Sequence, residues 1–374
     1  MECTARITPD LLWVGGNDRR LNLFENIFPI PRGVSYNSYL LLDEKTVLVD
    51  TVDKAISGVF FDNLTAALDG RQLNYIVVNH MEPDHAATLA EVCGRYPGAQ
   101  VMLTAKGSQM AAQFFGDGLR DRLHAVSDGA ELVTGRHHLR FFTAPMVHWP
   151  EVMVTWDETD RVLFSADAFG AFGAVSGFLF ADEVDFARDW LDDARRYYTN
   201  IVGKYGAPVQ ALLKKGRRPG HRLPLPAART GLASGHRLVC GKNTSAGAPI
   251  GPRRTACWWP TRPSTGIPKN AAEVFAMALR DAGVKHVAMY DVSVTHPSYI
   301  LSDAFRFGKL ALLSATYNLG VFPAMETLLL DLKAHALQDR TVALVENGSW
   351  APAAGKQMRE ILGSMKNIRV LEPC

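Results

Sequence analysis

Short apolar runs alternate with stretches of helical period along most of this chain. Tyr75-Ile-Val-Val-Asn79 reads as a buried strand, and Leu139–Thr143 and Val162–Ser165 are also strand-like. Ser57–Leu68 and Ala86–Arg95 carry helical spacing, and Phe186–Val202 reads as a longer amphipathic helix with acidic residues near its start. A second series begins after Asn270: Ala271–Ala282 as a helix, His286–Tyr290 as a short strand, then two apolar strands. Leu310–Ser314 ends in Ala315-Thr-Tyr-Asn318, and Thr341–Glu346 ends in Asn347-Gly-Ser-Trp350. Such alternation predicts α/β architecture, and 374 residues suffice for two domains with cores of their own. The boundaries predicted are 1–250 and 251–374. The chain stops at Leu371-Glu-Pro-Cys374 just after a strand, so a final covering helix is expected to be missing.

One stretch has no such pattern. Residues 216–269 hold ten lysines and arginines, no aspartate or glutamate, and eight of the twenty prolines, with neither helical nor strand period. A basic nucleic-acid-binding insert, an exposed linker and a slipped reading frame would each produce this composition. The formal charge of +2 becomes −8 without the stretch. The pI of 8.2 is therefore no argument for nucleic acid or a membrane surface. No run of 18 apolar residues exists, Glu2 stands where a signal core would be apolar, and the five cysteines form no CxxC pair. A cytoplasmic protein is expected.

The densest chemistry is His80-Met-Glu-Pro-Asp-His85, four potential metal ligands in six residues at the end of a predicted strand. Mixed nitrogen and oxygen donors without thiolate suit iron, manganese or zinc. His148, in Pro145-Met-Val-His-Trp-Pro150, and Asp167, in Leu163-Phe-Ser-Ala-Asp-Ala168, lie near other strand ends and are the partners to expect.

The pattern His-x-Glu-x-Asp-His, with a histidine 63 residues on and an aspartate 19 beyond it, resembles the metallo-β-lactamase fold and, more narrowly, the flavodiiron proteins. Phe28-Pro-Ile-Pro-Arg-Gly-Val-Ser-Tyr-Asn-Ser-Tyr39 and Thr46-Val-Leu-Val-Asp-Thr51 are similar to the same branch. Glu82 stands where hydrolases of the superfamily usually have histidine, and a carboxylate there favours iron. The resemblance implies a metallo-β-lactamase-like αββα sandwich followed by a flavodoxin-like doubly wound sheet. It makes His80, Glu82 and His148 ligands of one iron, Asp84 and His85 ligands of a second, and Asp167 their bridge. It places FMN against Thr316, Tyr317 and Asn318 and against Asn347, Gly348, Ser349 and Trp350. It further implies reduction of oxygen to water or of nitric oxide to nitrous oxide, rubredoxin or a flavin reductase as donor, and a head-to-tail homodimer. Neither nucleic acid nor membrane is expected as a partner. A dizinc hydrolase, and an electron-transfer flavoprotein with a structural metal domain, are the alternatives.

Two family features are missing, and both losses fall in the basic stretch. A seventh ligand, a histidine, is due near residues 226–228, which read Pro-Ala-Ala. The phosphate turn is due near Ser264-Thr-Gly-Ile-Pro-Lys269, where Pro268 has no N–H to give a phosphate. Trp258-Trp-Pro-Thr-Arg-Pro263 reads as a poor central strand. Codons permitted for Thr255–Lys269, read from the third base, give GMLVAYASIYGNTE, a strand and phosphate turn of flavodoxin type. Codons permitted for Ala228–Lys242, read one base later, give HGPVWRQDIGWFVGK, which restores the histidine. Compensating frameshifts over about 216–269 are therefore the expectation; coding DNA without these alternative readings would end it. As written, the chain is expected to bind iron substoichiometrically and little FMN.

Overall fold

Thr46–Val49 is buried at all four positions, so it must be covered on both faces. It lies at the centre of a seven-stranded sheet, paired antiparallel to Tyr39–Leu42 and parallel to Tyr75–Val77. This computed structural model describes residues 2–180, 182–215, 257–260, 267–347 and 352–372. The sheet runs Ala5–Arg6, Leu11–Trp13, Tyr39–Leu42, Thr46–Val49, Tyr75–Val77, Gln100–Thr104, Leu123–Val126. Its first half is antiparallel and its second half parallel. Glu131–Val133, His138–Thr143, Met153–Asp157 and Val162–Phe164 form a second, antiparallel sheet. Leu11, Leu41, Val47, Val49 and Val77 of the first sheet pack with Leu139, Phe141, Met153, Val162 and Phe164 of the second. That shared core is the middle of a sandwich. The helix Ser57–Leu68 buries Phe60, Phe61, Leu64 and Leu68 along one stripe and stops where Asp69 turns left-handed.

The chain divides into two compact units, residues 1–198 with 207–244 and residues 199–206 with 245–374. In the second, Lys309–Tyr317, Arg340–Asn347 and Ile368–Val370 run parallel, with Gly320–Val321 antiparallel at one edge. Cys257–Pro260 pairs in parallel with Val287–Tyr290 and lies beside Lys309–Tyr317. The resulting spatial order, 2-1-3-4-5, is that of a flavodoxin-type doubly wound sheet. Ile300, Leu301, Leu312, Met325, Leu328 and Val342 are among its core residues.

Several elements differ from the sequence reading. Cys257–Pro260 is a strand although it carries a proline, because Pro260 is its last residue and forfeits only the final rung. The next helix begins at Ile267, ahead of the expected Ala271; Pro268 sits in its first turn, where the missing N–H is unused anyway. Phe186–Val202 is not one helix. Trp190 leaves helical geometry, at φ −130° and ψ −22°, and is buried under the Arg32 guanidinium 4.5 Å from its ring. Leu191–Tyr197 follows, then a widened π turn over Tyr198–Val202. Ala86–Arg95 likewise splits into Pro83–Ala86 and Leu89–Arg95. Thr316 and Tyr317, expected in a loop, are the end of a strand.

Candidate metal centre

Pro83 explains the local shape of the motif. It occupies the first position of the short helix Pro83–Ala86, its φ preset for helix and its lack of an N–H harmless there. His80 and Glu82 therefore lie on extended chain before the turn, and Asp84 and His85 within it. Just upstream, Asn79 fastens both sheets. Its backbone N–H donates to Asp50 Oδ1 at 2.7 Å, its carbonyl accepts from Met153 N at 3.0 Å, and its Oδ1 accepts from Thr155 Oγ1 at 2.7 Å. His148 comes from the loop before Met153–Asp157, and Asp167 from the 3-10 turn Ala166–Phe169 after Val162–Phe164. Gly170 lets the Tyr197 ring close over this turn; a Cβ there would meet it at 2.5 Å.

These strand-end loops bring all six motif residues together in two groups. His80, Glu82, His148 and Asp167 are all buried and offer atoms within 4.8 Å of one another; Asp84, His85 and Asp167 form the second group. Glu82 Oε2 lies 3.0 Å from both His80 Nε2 and His148 Nε2. Asp167 faces both groups, with Oδ2 3.3 Å from His80 Nε2 and Oδ1 3.0 Å from His85 Nε2. Asp84 Oδ1 and Asp167 Oδ2 are buried without a hydrogen-bond partner. Buried carboxylate oxygens in that condition call for a cation.

The electrostatics say the same. Burial, with Asp167 and Glu82 close by, pushes the Asp84 carboxyl up to about 7 against the pull of His85. Burial would depress His148, but the Asp167 carboxylate 3.4 Å away and the hydrogen bond to Glu82 outweigh it and raise the imidazole to about 9. Burial disfavours the Asp167 carboxylate too, yet the three histidines hold it well below the usual range.

Four neighbours were not singled out in the sequence. Glu151 Oε1 lies 2.6 Å from His80 Nδ1, Asp50 Oδ2 lies 3.6 Å from His85 Nδ1, and the buried Tyr197 phenol is close enough to Asp167 to feel its charge. Glu25, at the tip of the ribbon Leu23–Phe24/Phe28–Pro29, turns its carboxyl toward Glu82; burial and that contact raise it to about 9. Glu151 stood only three residues after His148, the one positional hint among the four. In the second unit, Thr316 Oγ1 accepts from the Ala353 and Ala354 amides at the start of the helix Ala354–Gly363. Tyr317, Asn318 and Asn347 lie at or just past the carboxyl ends of adjacent parallel strands. Gly348, Ser349, Trp350 and the expected seventh-ligand segment near 226–228 lie outside the described residues, as do most of 216–269.

Residues 34–200 match the family described as ODP family beta lactamase. The fold superposes on a flavo di-iron protein from Thermotoga maritima, a point mutant, with a TM-score of 0.84 at 23% identity, covering 100% of this chain and 93% of that one. An anaerobic nitric oxide reductase flavorubredoxin from Pectobacterium carotovorum is 30% identical over 350 residues, which is 90% of this chain and 67% of that protein. The chain belongs to the flavodiiron family. Its two units are accordingly the metallo-β-lactamase-like and flavodoxin-like parts of a flavodiiron architecture. The namesake flavorubredoxin from Aliivibrio salmonicida is 36% identical over 214 residues, 57% of this chain, and the chain spans only 42% of its length. Among the described residues no helix is long and apolar enough to cross a membrane.

Proposed function

We propose that this chain is a flavodiiron oxidoreductase, with FMN as its electron entry and a pair of irons as the site where oxygen is reduced to water or nitric oxide to nitrous oxide. The observation that carries the reading is Asp167, whose two oxygens face two separate donor groups. Three imidazoles, three carboxylates and no thiolate make a donor set suited to iron. His80, Glu82 and His148 would hold one ion and Asp84 and His85 the other, with Asp167 between them. Bound there, two adjacent ferrous ions would supply the two electrons that joining two nitric oxides requires, and reduction of oxygen to water would draw two more through FMN.

The chain's own residues prepare that site. Glu82 and Asp167 orient three imidazoles toward one another. Burial and the nearby Asp167 carboxylate keep the Tyr197 phenol protonated beside the site. The Trp149 ring packs edge to face against that of His80, with centroids 5.2 Å apart, and covers one side of it. FMN would lie at the strand ends that carry Thr316, Tyr317, Asn318 and Asn347, the position where ligands bind open parallel sheets. The curated relatives' names support nitric oxide as a substrate and the family resemblance supports oxygen, a rubredoxin or flavin-reductase donor, a head-to-tail homodimer and a cytoplasmic setting.

Anaerobic reconstitution with ferrous iron and FMN tests this. The chain as written should retain fewer than two irons and less than one FMN, and consume nitric oxide or oxygen only when both are present. Asp167→Ala, which removes the donor shared by both groups, should abolish iron retention and gas consumption together. Zinc-dependent ester hydrolysis without iron-dependent gas consumption would overturn the reading in favour of a hydrolase.

A further inference from the structure

The two donor groups are not equally prepared, and the difference lies behind the histidines. His80 has none of its side chain exposed, and its Nδ1 faces Glu151 Oε1 at 2.6 Å. The same oxygen accepts the Met81 backbone N–H at 3.0 Å, and the Glu151 carbonyl accepts from Thr104 Oγ1 at 2.8 Å. Glu151 is thus fixed at both its side chain and its backbone. A carboxylate in that place requires the proton on Nδ1, which leaves the Nε2 lone pair aimed at Glu82 and Asp167. His85 has only a looser support. Its Nδ1 makes no hydrogen bond, and the nearest carboxylate oxygen, Asp50 Oδ2 at 3.6 Å, already accepts from Asn79 Nδ2 at 3.2 Å. Among the described residues the His80 group is four residues, all buried, and the His85 group three, of which two are half-buried.

We propose that Glu151 is a positioning residue that sets the order of metal loading: the His80–Glu82–His148–Asp167 position fills first and more tightly, and the Asp84–His85–Asp167 position second. The inference rests on the two-metal reading above. A carboxylate behind a ligating histidine fixes its tautomer and strengthens it as a donor, and losing that support typically costs about 10–100-fold in metal affinity. The first position has a 2.6 Å hydrogen bond of this kind and the second only an ion pair at 3.6 Å, so their affinities should separate by about the lower end of that range.

The test is a titration of the metal-free full-length chain with cobalt(II), followed by visible absorbance and calorimetry. Two steps are expected, the first at least about tenfold tighter. His85→Ala should remove only the second step. Glu151→Ala should weaken the first by about 10–100-fold while moving the second less than threefold. Glu151→Gln, which keeps an oxygen to accept from Nδ1 but no charge, should restore part of the loss and shift the cobalt spectrum of the first step. Far-UV circular dichroism identifies any variant that has not folded, and Glu151→Gln keeps the question open to measurement if Glu151→Ala is lost that way. Two steps in the parent that ignore Glu151, or that weaken together, would overturn this proposal and leave the two-metal reading standing. No cobalt binding by the parent would overturn both.

Discussion

His137 is wholly buried, yet its ring touches carboxylates on both sides: Asp157 Oδ2 lies 2.7 Å from Nδ1 and Asp10 Oδ2 lies 3.0 Å from Nε2. Its backbone N–H donates to Asp43 Oδ2, and Arg136 binds both Asp10 and Asp160. Asp10, His137 and Asp160 resemble a metal-holding trio, but the Arg136 guanidinium already supplies the cation. Burial alone would lower the imidazole; Asp157 and Asp10 outweigh it and raise the group to about 9. A folded value above the unfolded one means stabilisation that is full below about pH 6.5 and fades as pH climbs through 9. The urea midpoint should therefore drop between pH 7 and 10. His137→Ala should flatten part of that slope and cost about 3–5 kcal/mol at pH 7, because Asp157 is left buried without its cation. A variant as stable as the parent would refute the clasp. None of this was legible beforehand, since the partners lie 20 and 127 positions away. The six metal-site candidates were legible because four share one hexapeptide, whereas Asp50 and Glu25 reach the same place from distant segments.

At the scale of elements, the hairpin after Lys309–Tyr317 shows where pattern reading loses an edge. Thr316 pairs with Val321 and Tyr317 with Gly320, across a two-residue turn. Both turn residues, Asn318 at φ 48° and Leu319 at φ 61°, are left-handed, as a type I′ turn requires. Asn318 looked like the end of a loop, but it is the first corner of a ribbon. A leucine in this conformation costs roughly 1–2 kcal/mol, and glycine's extra freedom in the unfolded chain offsets about 0.5–1 of any relief. Leu319 is 53% exposed, so little packing is lost with its side chain. Leu319→Gly should therefore stabilise the protein by ~0.5–1 kcal/mol. A lower urea midpoint for that variant would mean the leucine makes contacts worth more than its strain. Period alone was enough at Ser57–Leu68, whose predicted and observed ends coincide. The break at Trp190 was not, because it comes from burying one indole under Arg32 rather than from any helix-stopping residue.

At the scale of the whole molecule, each unit has its own apolar centre, one built from residues 11 to 164 and the other from residues 292 to 365. Each of these two clusters lies within a single unit, which is why two folds are recognisable in one chain. The fold class was open to reading for that reason, while the strand order 2-1-3-4-5 was not, because it depends on pairings between segments that no periodicity links. The Asn79 junction has a further consequence, one that concerns time. His85 and Asp167 are separated by 82 positions and Glu82 and His148 by 66, and Asn79 couples the two sheets immediately before His80. Contacts so distant along the chain close late, after local helices and hairpins have formed. Cobalt colour developing during refolding from urea should therefore lag the recovery of far-UV circular dichroism. Asn79→Ala should lengthen the lag, since the two sheets would have to find their register without the side-chain tether. Colour that rose together with secondary structure would mean the donors assemble before the sheets dock. The metal centre can thus serve as a clock for the last step of folding, started by dilution and stopped by a change of colour.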